Sequence, residues 1–294
     1  MNLFSSRSQI LLLFLLLFPG FLLSQRSVQV KQLWEVRDGL DRPESVVLDD
    51  ANNRLYVSNI VGNASEKDGQ GYISAVTPDG SVSAIRWVEG LHAPKGMAIH
   101  AGRLYVADVD ALVVIDIEHG RVTNRYPAEG AQFLNDVTAD SEGTVYVTDS
   151  ATDAVYQFRN GTFDLWLRGT QIRSPNGIYA EGHQLIIAAA GPEASDPGSE
   201  RYLHTIHTRT KRVRDIPPAD PLGGLDGIEP AEANAWFLTD WPGARVMYFR
   251  RGQGASTVLK LTQGTADLEY DQDNGILYIP VMMSNRLVAY QVQQ

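Results

Sequence analysis

A short pattern recurs six times along the chain: an anchor pair, then about ten residues, then a strand built on a Leu/Val/Ile-Tyr-Val core. Pro43-Glu44-Ser45 precedes Leu55-Tyr56-Val57, Pro94-Lys95-Gly96 precedes Leu104-Tyr105-Val106, and Leu134-Asn135-Asp136 precedes Val145-Tyr146-Val147. The later copies run from Pro175-Asn176-Gly177 to Leu185-Ile186-Ile187, from Leu225-Asp226-Gly227 to Trp236-Phe237-Leu238, and from Ala266-Asp267-Leu268 to Leu277-Tyr278-Ile279. Successive anchors lie 51, 40, 41, 50 and 41 residues apart. Repeats of this period, each a set of short strands that can bury its faces only against neighbouring repeats, predict an all-β fold, a six-bladed β-propeller.

Length alone would suggest two domains. A closed ring of blades is one unit, so the repeat predicts a single domain over residues 25–294. Ser27-Val28-Gln29-Val30-Lys31-Gln32-Leu33-Trp34-Glu35-Val36 alternates as a strand does and precedes the first anchor. The chain ends soon after the third strand of its last repeat, Arg286-Leu287-Val288-Ala289-Tyr290-Gln291-Val292. The N-terminal strand is therefore expected to complete the last blade, closing the ring and removing two sheet edges.

Residues 1–24 read differently. Arg7 supplies positive charge, residues 10–17 are an unbroken apolar run, and Ser24 is the small residue of a cleavage region. This reads as a signal peptide, with an uncleaved anchor as the alternative, and it predicts a periplasmic or secreted protein. The chain has no cysteine, which excludes disulfides, thiol nucleophiles and thiolate metal sites. A net charge of -10 repels phosphate backbones, so no nucleic-acid partner is expected, and no membrane partner beyond the signal segment. The expected partner is a small-molecule substrate.

A common phase for the anchors would bring Glu44, Lys95, Asn135, Asn176, Asp226 and Asp267 together at one end of the central channel. Carboxylates that close raise one another's pKa, and a divalent cation relieves the repulsion. All-oxygen ligation points to calcium first, with magnesium and zinc as alternatives. Asp271-Gln272-Asp273-Asn274-Gly275 has the look of a calcium loop but lacks its later Glu and falls where every repeat has a hairpin turn, so it reads as a turn. Two long Gly/Pro-rich connections, residues 61–71 and 191–200, follow second strands and are candidates for a lid or specificity wall over the channel mouth.

Pro43-Glu44, Asn135-Asp136, Pro175-Asn176-Gly177 and Asp226-Gly227, in this order and spacing, resemble the gluconolactonase, senescence-marker protein and luciferin-regenerating enzyme family. That resemblance implies a six-bladed propeller that binds one divalent metal and hydrolyses lactones. It implies Glu44, Asn176 and Asp226 as metal ligands, Asn135 as a further ligand or substrate contact, and Asp226 as general base or orienter of the attacking water. The family often carries Arg where this chain has Phe133, which turns the expectation from a sugar lactone toward a less polar one. Lys95 lies outside the family's ligand set; it either pairs with Asp267 or steadies an oxyanion. Trp241 is expected as an apolar floor beside Phe133, and Asp108, Asp149 and Asp240 as pocket wall or structural caps.

The sequence has no G-x-S-x-G elbow, no H-E-x-x-H and no P-loop. Two rivals to the lactonase reading stand: a non-catalytic propeller binding module with a structural metal, and a metal-free enzyme of the strictosidine-synthase type, against which the Asn135, Asn176 and Asp226 set argues.

Overall fold

The computed structural model describes residues 28–190, 203–217 and 222–293. The signal segment and the whole of the second long connection lie outside these. Among the described residues no helix is long and apolar enough to cross a membrane. The rest forms six four-stranded antiparallel sheets, the blades of a propeller. In blades 1 to 5 the strands follow chain order. Blade 6 takes Glu269–Asp271, Ile276–Val281 and Arg286–Gln293 from the C-terminus and its outer strand, Gln29–Val36, from the N-terminus. The two chain ends pair from Gln29 against Gln293 to Val36 against Leu287, the expected closure.

Side chains on both faces of each second strand are packed. Arg54–Asn59 and Arg103–Asp108 are buried at every position after the first. One face meets the preceding blade and the other the following blade, so the alternation of a one-faced sheet gives way to a continuous apolar run. Tyr56 and Ile73 of blade 1 pack with Met97, Val106 and Ile115 of blade 2, while Tyr105 and Val114 pack with Val147 and Phe158 of blade 3. Outermost strands such as Arg121–Pro127 do alternate, because one of their faces meets water.

The innermost strands carry the feature that builds the site. In blade 1, Pro43 opposes Asn59 and Val46 opposes Val57, so three steps on the inner strand face two on its partner. The same extra residue follows Pro94, Leu134, Pro175 and Leu225. Each is a β-bulge, which bends the strand and re-aims the side chains beside it. The bulged pairs are the sequence anchors: Glu44-Ser45, Lys95-Gly96, Asn135-Asp136, Asn176-Gly177 and Asp226-Gly227.

Where the second residue of the pair is glycine, the neighbouring inner strand leaves no room for a side chain. A Cβ on Gly177 would lie 2.3 Å from the carbonyl oxygen of Asp226, and one on Gly227 would lie 2.5 Å from Asp267 Oδ1 and 2.8 Å from the backbone nitrogen of Leu268. The innermost strands thus approach one another around the axis at backbone distance. Gly177→Ala, which must displace backbone rather than a flexible side-chain end, is expected to destabilise the protein by about 1–3 kcal/mol. Urea unfolding checks this, and an unchanged midpoint would mean that the inner strands can spread.

Candidate functional site

Second strands hold the bulges in place. Ser58 Oγ accepts from the backbone N–H of Ser45 at 2.9 Å, Thr148 Oγ1 from Asp136 at 2.9 Å, and Thr239 Oγ1 from Gly227 at 2.7 Å. The acids ending these strands clasp the segments that lead into the anchors. Asp108 accepts from the N–H groups of His92 and Ala93, Asp149 from those of Gln132 and Phe133, and Asp240 from that of Gly224. Asp108 also pairs with Arg125, and Asp240 with Arg245. Of the two expectations for these three acids, structural caps and pocket wall, the caps are what the hydrogen bonds show.

Five of the six sequence anchors share one level. The sixth does not. Thr265 bridges Val281 and Glu269 opposes Tyr278, so register places Ala266 where blade 1 has Glu44, and Asp267 where it has Ser45. The ring at the mouth is therefore Glu44, Lys95, Asn135, Asn176, Asp226 and Ala266. Asp267 belongs one level deeper, where its carboxylate accepts from Ser45 Oγ at 2.7 Å. There it lines an axial cavity of about 150 Å³ with Asp136, Glu229 and Glu269. Asp136 enters the sequence reading only as the neighbour of Asn135, and Glu229 and Glu269 do not enter it. Their signal was present: with the bulge counted, Glu229 and Glu269 stand at equivalent positions of successive inner strands.

At the mouth, Asn176 Nδ2 donates to Asp226 Oδ1 at 2.7 Å and Asn135 Nδ2 donates to Ser150 Oγ at 3.0 Å. Both amides have their NH₂ committed to a neighbour, which leaves their carbonyl oxygens for another partner. Glu44 Oε2 is buried without a hydrogen-bond partner. Burial raises the Glu44 pKa well above the carboxylate range, with Asp226 adding to it and Lys95 opposing it. Burial, then the charge of Asp267, pushes Asp226 up to about 7 against the hydrogen bond from Asn176.

Lys95 is 1% exposed. Its ammonium does not pair with Asp267, the first of the two roles expected for it. It donates instead to the carbonyl oxygens of Ala64 at 2.9 Å and Ala93 at 3.0 Å and lies 4.4 Å above the ring of Phe133. Burial lowers its pKa to about 8, while Glu44 and Asp108 hold the charge against that loss. Phe133 thus meets the site through a cation–π contact. Trp241 packs on an apolar cluster of Ile60, Ala93, Val109, Ala266 and Met282.

Among the described residues no three His, Cys, Asp or Glu side chains are gathered as a metal site. The candidate set has two carboxylates, Glu44 and Asp226, completed by the amide oxygens of Asn135 and Asn176. An orphaned buried carboxylate oxygen and two amide oxygens left without hydrogen bonds fit a hard, oxygen-seeking cation.

No family description and no curated protein sequence matches the chain. Solved structures do. A gluconolactonase from Xanthomonas campestris aligns with a TM-score of 0.68 at 16% identity over 90% of each chain. An inactive virginiamycin B lyase from Staphylococcus aureus, solved with quinupristin, aligns at 0.62 and 11% identity over 90% of this chain and 100% of that one. A streptogramin B lyase aligns at 0.63 and 9% identity over 90% of this chain and 98% of that one. At such identities the likeness is one of fold, and the sugar-lactonase resemblance of the sequence agrees with it.

Proposed function

We propose that the chain is a hydrolase of lactones or related carboxylic esters, acting at the mouth ring with a divalent cation, calcium first. The observation that carries this reading is the buried, unpartnered Oε2 of Glu44 facing Asp226, in a ring whose two amides keep their carbonyl oxygens free. The gluconolactonase among the structural neighbours supports the reaction class. Glu44, Asn135, Asn176 and Asp226 would hold the cation, which supplies positive charge to a carbonyl oxygen and to water.

The chain's own groups supply the rest. In the cation-free protein burial raises Asp226 to about 7, and a carboxylate raised in this direction is a stronger proton acceptor than an ordinary one. Its hydrogen bond from Asn176 fixes which oxygen is free to face water. Lys95, a desolvated ammonium above Phe133, is placed to stabilise negative charge that develops on a carbonyl oxygen. Phe133 and the Trp241 cluster present apolar surface to whatever the ring binds. The expected leader places this chemistry in the periplasm or outside the cell.

The test is hydrolysis of aldonic, acyl-homoserine, aliphatic and aromatic lactones by the protein with calcium, with magnesium or zinc, and with chelator. Turnover is expected with cation and is expected to vanish with chelator. If no lactone reacts while calcium still raises the melting temperature, the protein is a binding module with a structural metal.

A further inference from the structure

The connection after the second strand of blade 1, residues 61–70, stands over the ring. It starts and ends at flexible or strained backbone: Val61, Gly62 and Gly69 all have positive φ, at 49°, 76° and 73°. A β-branched residue there is under strain. Between them, Asn63 Oδ1 accepts from the Ser65 N–H, so Ala64 sits at the tip of a tight turn. Its carbonyl oxygen receives the Lys95 ammonium at 2.9 Å, and its methyl packs on the cluster of Ile60, Ala93, Val109, Ala266 and Met282.

We infer that Ala64 occupies the substrate's place, its carbonyl on Lys95 and its methyl on the apolar cluster, so that this segment is a self-substituting lid displaced by lactones or esters with an aliphatic substituent. The inference rests on the hydrolase reading for its reaction, and it adds the substrate class and the gate. A peptide carbonyl is the nearest neutral mimic of an ester carbonyl that the chain owns. The charged hydrogen bond it makes is the one a substrate carbonyl would take over. Lys95 is buried, so a substrate reaches it only once the segment moves.

The apolar cluster decides the class of substituent. Its members offer no strong side-chain donor or acceptor except the indole N–H of Trp241. A polyhydroxylated sugar lactone placed against it would leave buried hydroxyls unpaired, which is unfavourable. An alkyl chain gains there instead, with each CH₂ taken out of water.

Among the described residues few polar contacts hold the lid down: apart from Lys95 they are Arg42 to the Gly62 carbonyl, the Gly69 N–H to His92 Nδ1 at 3.1 Å, and the ion pair of Lys67 with Asp110. The side chains of Lys67 and Asp110 are 51% and 35% exposed and, among the described residues, hydrogen-bond to none of the ring, so this pair is the place to loosen the lid without altering the chemistry. Lys67→Glu converts attraction into repulsion, and Asp110→Lys added to it restores an opposite pair.

The experiment uses the whole protein with calcium. It follows acetylation of Lys95 by acetic anhydride, read by peptide mass spectrometry, and hydrolysis of γ-nonalactone beside D-glucono-δ-lactone. Lys67→Glu is expected to label Lys95 about fivefold faster and to lower KM for γ-nonalactone by a similar factor at unchanged kcat, with the double variant returning to the original values. Excess γ-nonalactone is expected to accelerate labelling of lid lysine Lys67 in the original protein while shielding Lys95. Equal Lys95 labelling in both proteins overturns the lid, and preferred hydrolysis of gluconolactone overturns the substrate class. If neither lactone is hydrolysed but γ-nonalactone still shields Lys95, the hydrolase reading fails and the lid stands.

Discussion

Asp226→Asn is expected to lower kcat on the preferred lactone by on the order of 10³, with little change in melting temperature at pH 6. Asparagine matches aspartate in size and can still accept from Asn176 Nδ2, so the bulge and its neighbours keep their contacts. What disappears is a group that can take a proton near neutral pH. In the cation-free protein burial and the charge of Asp267 raise Asp226 to about 7, the direction that makes a carboxylate a stronger proton acceptor. Removing a positioned general base typically loses a factor of about 10²–10⁴, and loss of a charged ligand adds weaker cation binding. The second effect is separable, because saturating calcium would recover affinity but not the base. Glu44→Gln serves as the comparison: it removes charge from a group without a hydrogen-bond partner, so its effect is expected mainly in the calcium concentration required. A kcat for Asp226→Asn within tenfold of the original, at saturating calcium, would remove Asp226 from the chemistry and leave Lys95 and the cation as the only candidates.

The sixfold repeat and the closing strand were legible because they are local signals: apolar cores of constant type, turn residues between them, and an alternating strand at the start of a chain that lacks one at its end. Five anchors were legible for the same reason, and each is the first residue of a bulge. Asp267 was misplaced by one position because counting from the Tyr-Val strand assumes that the hairpin between strands keeps its length. The register of Thr265 with Val281 shows that Ala266 is the true counterpart of Glu44. An Ala at that point opens the polar ring on one side and joins it to the apolar cluster, a feature with direct bearing on substrate. Of the two roles expected for Lys95, the ion pair with Asp267 is not made; its ammonium donates to the carbonyl oxygens of Ala64 and Ala93 instead. The deep acids Glu229 and Glu269 were hidden for a physical reason: whether a residue past a bulge faces the channel or a neighbouring blade depends on the extra residue, so their equivalence emerges only once the bulge is counted.

Without divalent cations, the melting temperature is expected to fall by about 10 °C between pH 5.5 and pH 8, and millimolar calcium is expected to restore more of it at pH 8 than at pH 5.5. Burial raises Asp226, Asp267 and Glu269 each to about 7, from ordinary values of 3.8, 3.8 and 4.5. Between those limits the folded protein binds more protons than the unfolded chain, so stability falls as pH rises through the window and levels off above it. For one group the part of the shift that falls between pH 5.5 and 7 corresponds to about 2 kcal/mol. The three carboxyls repel one another, so their effects overlap rather than triple, and about 4 kcal/mol in a chain of this size moves the midpoint by about 10 °C. Lys95, lowered to about 8, adds slope of the opposite sign, but only above pH 8, because a depressed ammonium stabilises the fold as pH rises past it. Calcium requires the carboxylates ionised, so its stabilisation grows over the same interval in which the cation-free protein loses ground. Scanning calorimetry at several pH values, with chelator and with calcium, separates two contributions. The deep acids Asp267 and Glu269 set the pH slope whether or not the mouth binds a cation, whereas the calcium increment depends on Glu44 and Asp226. A pH slope without a calcium increment would mean that the mouth ring carries its repulsion unrelieved and holds no cation, and Lys95 would then be the one positive charge available to a substrate carbonyl there.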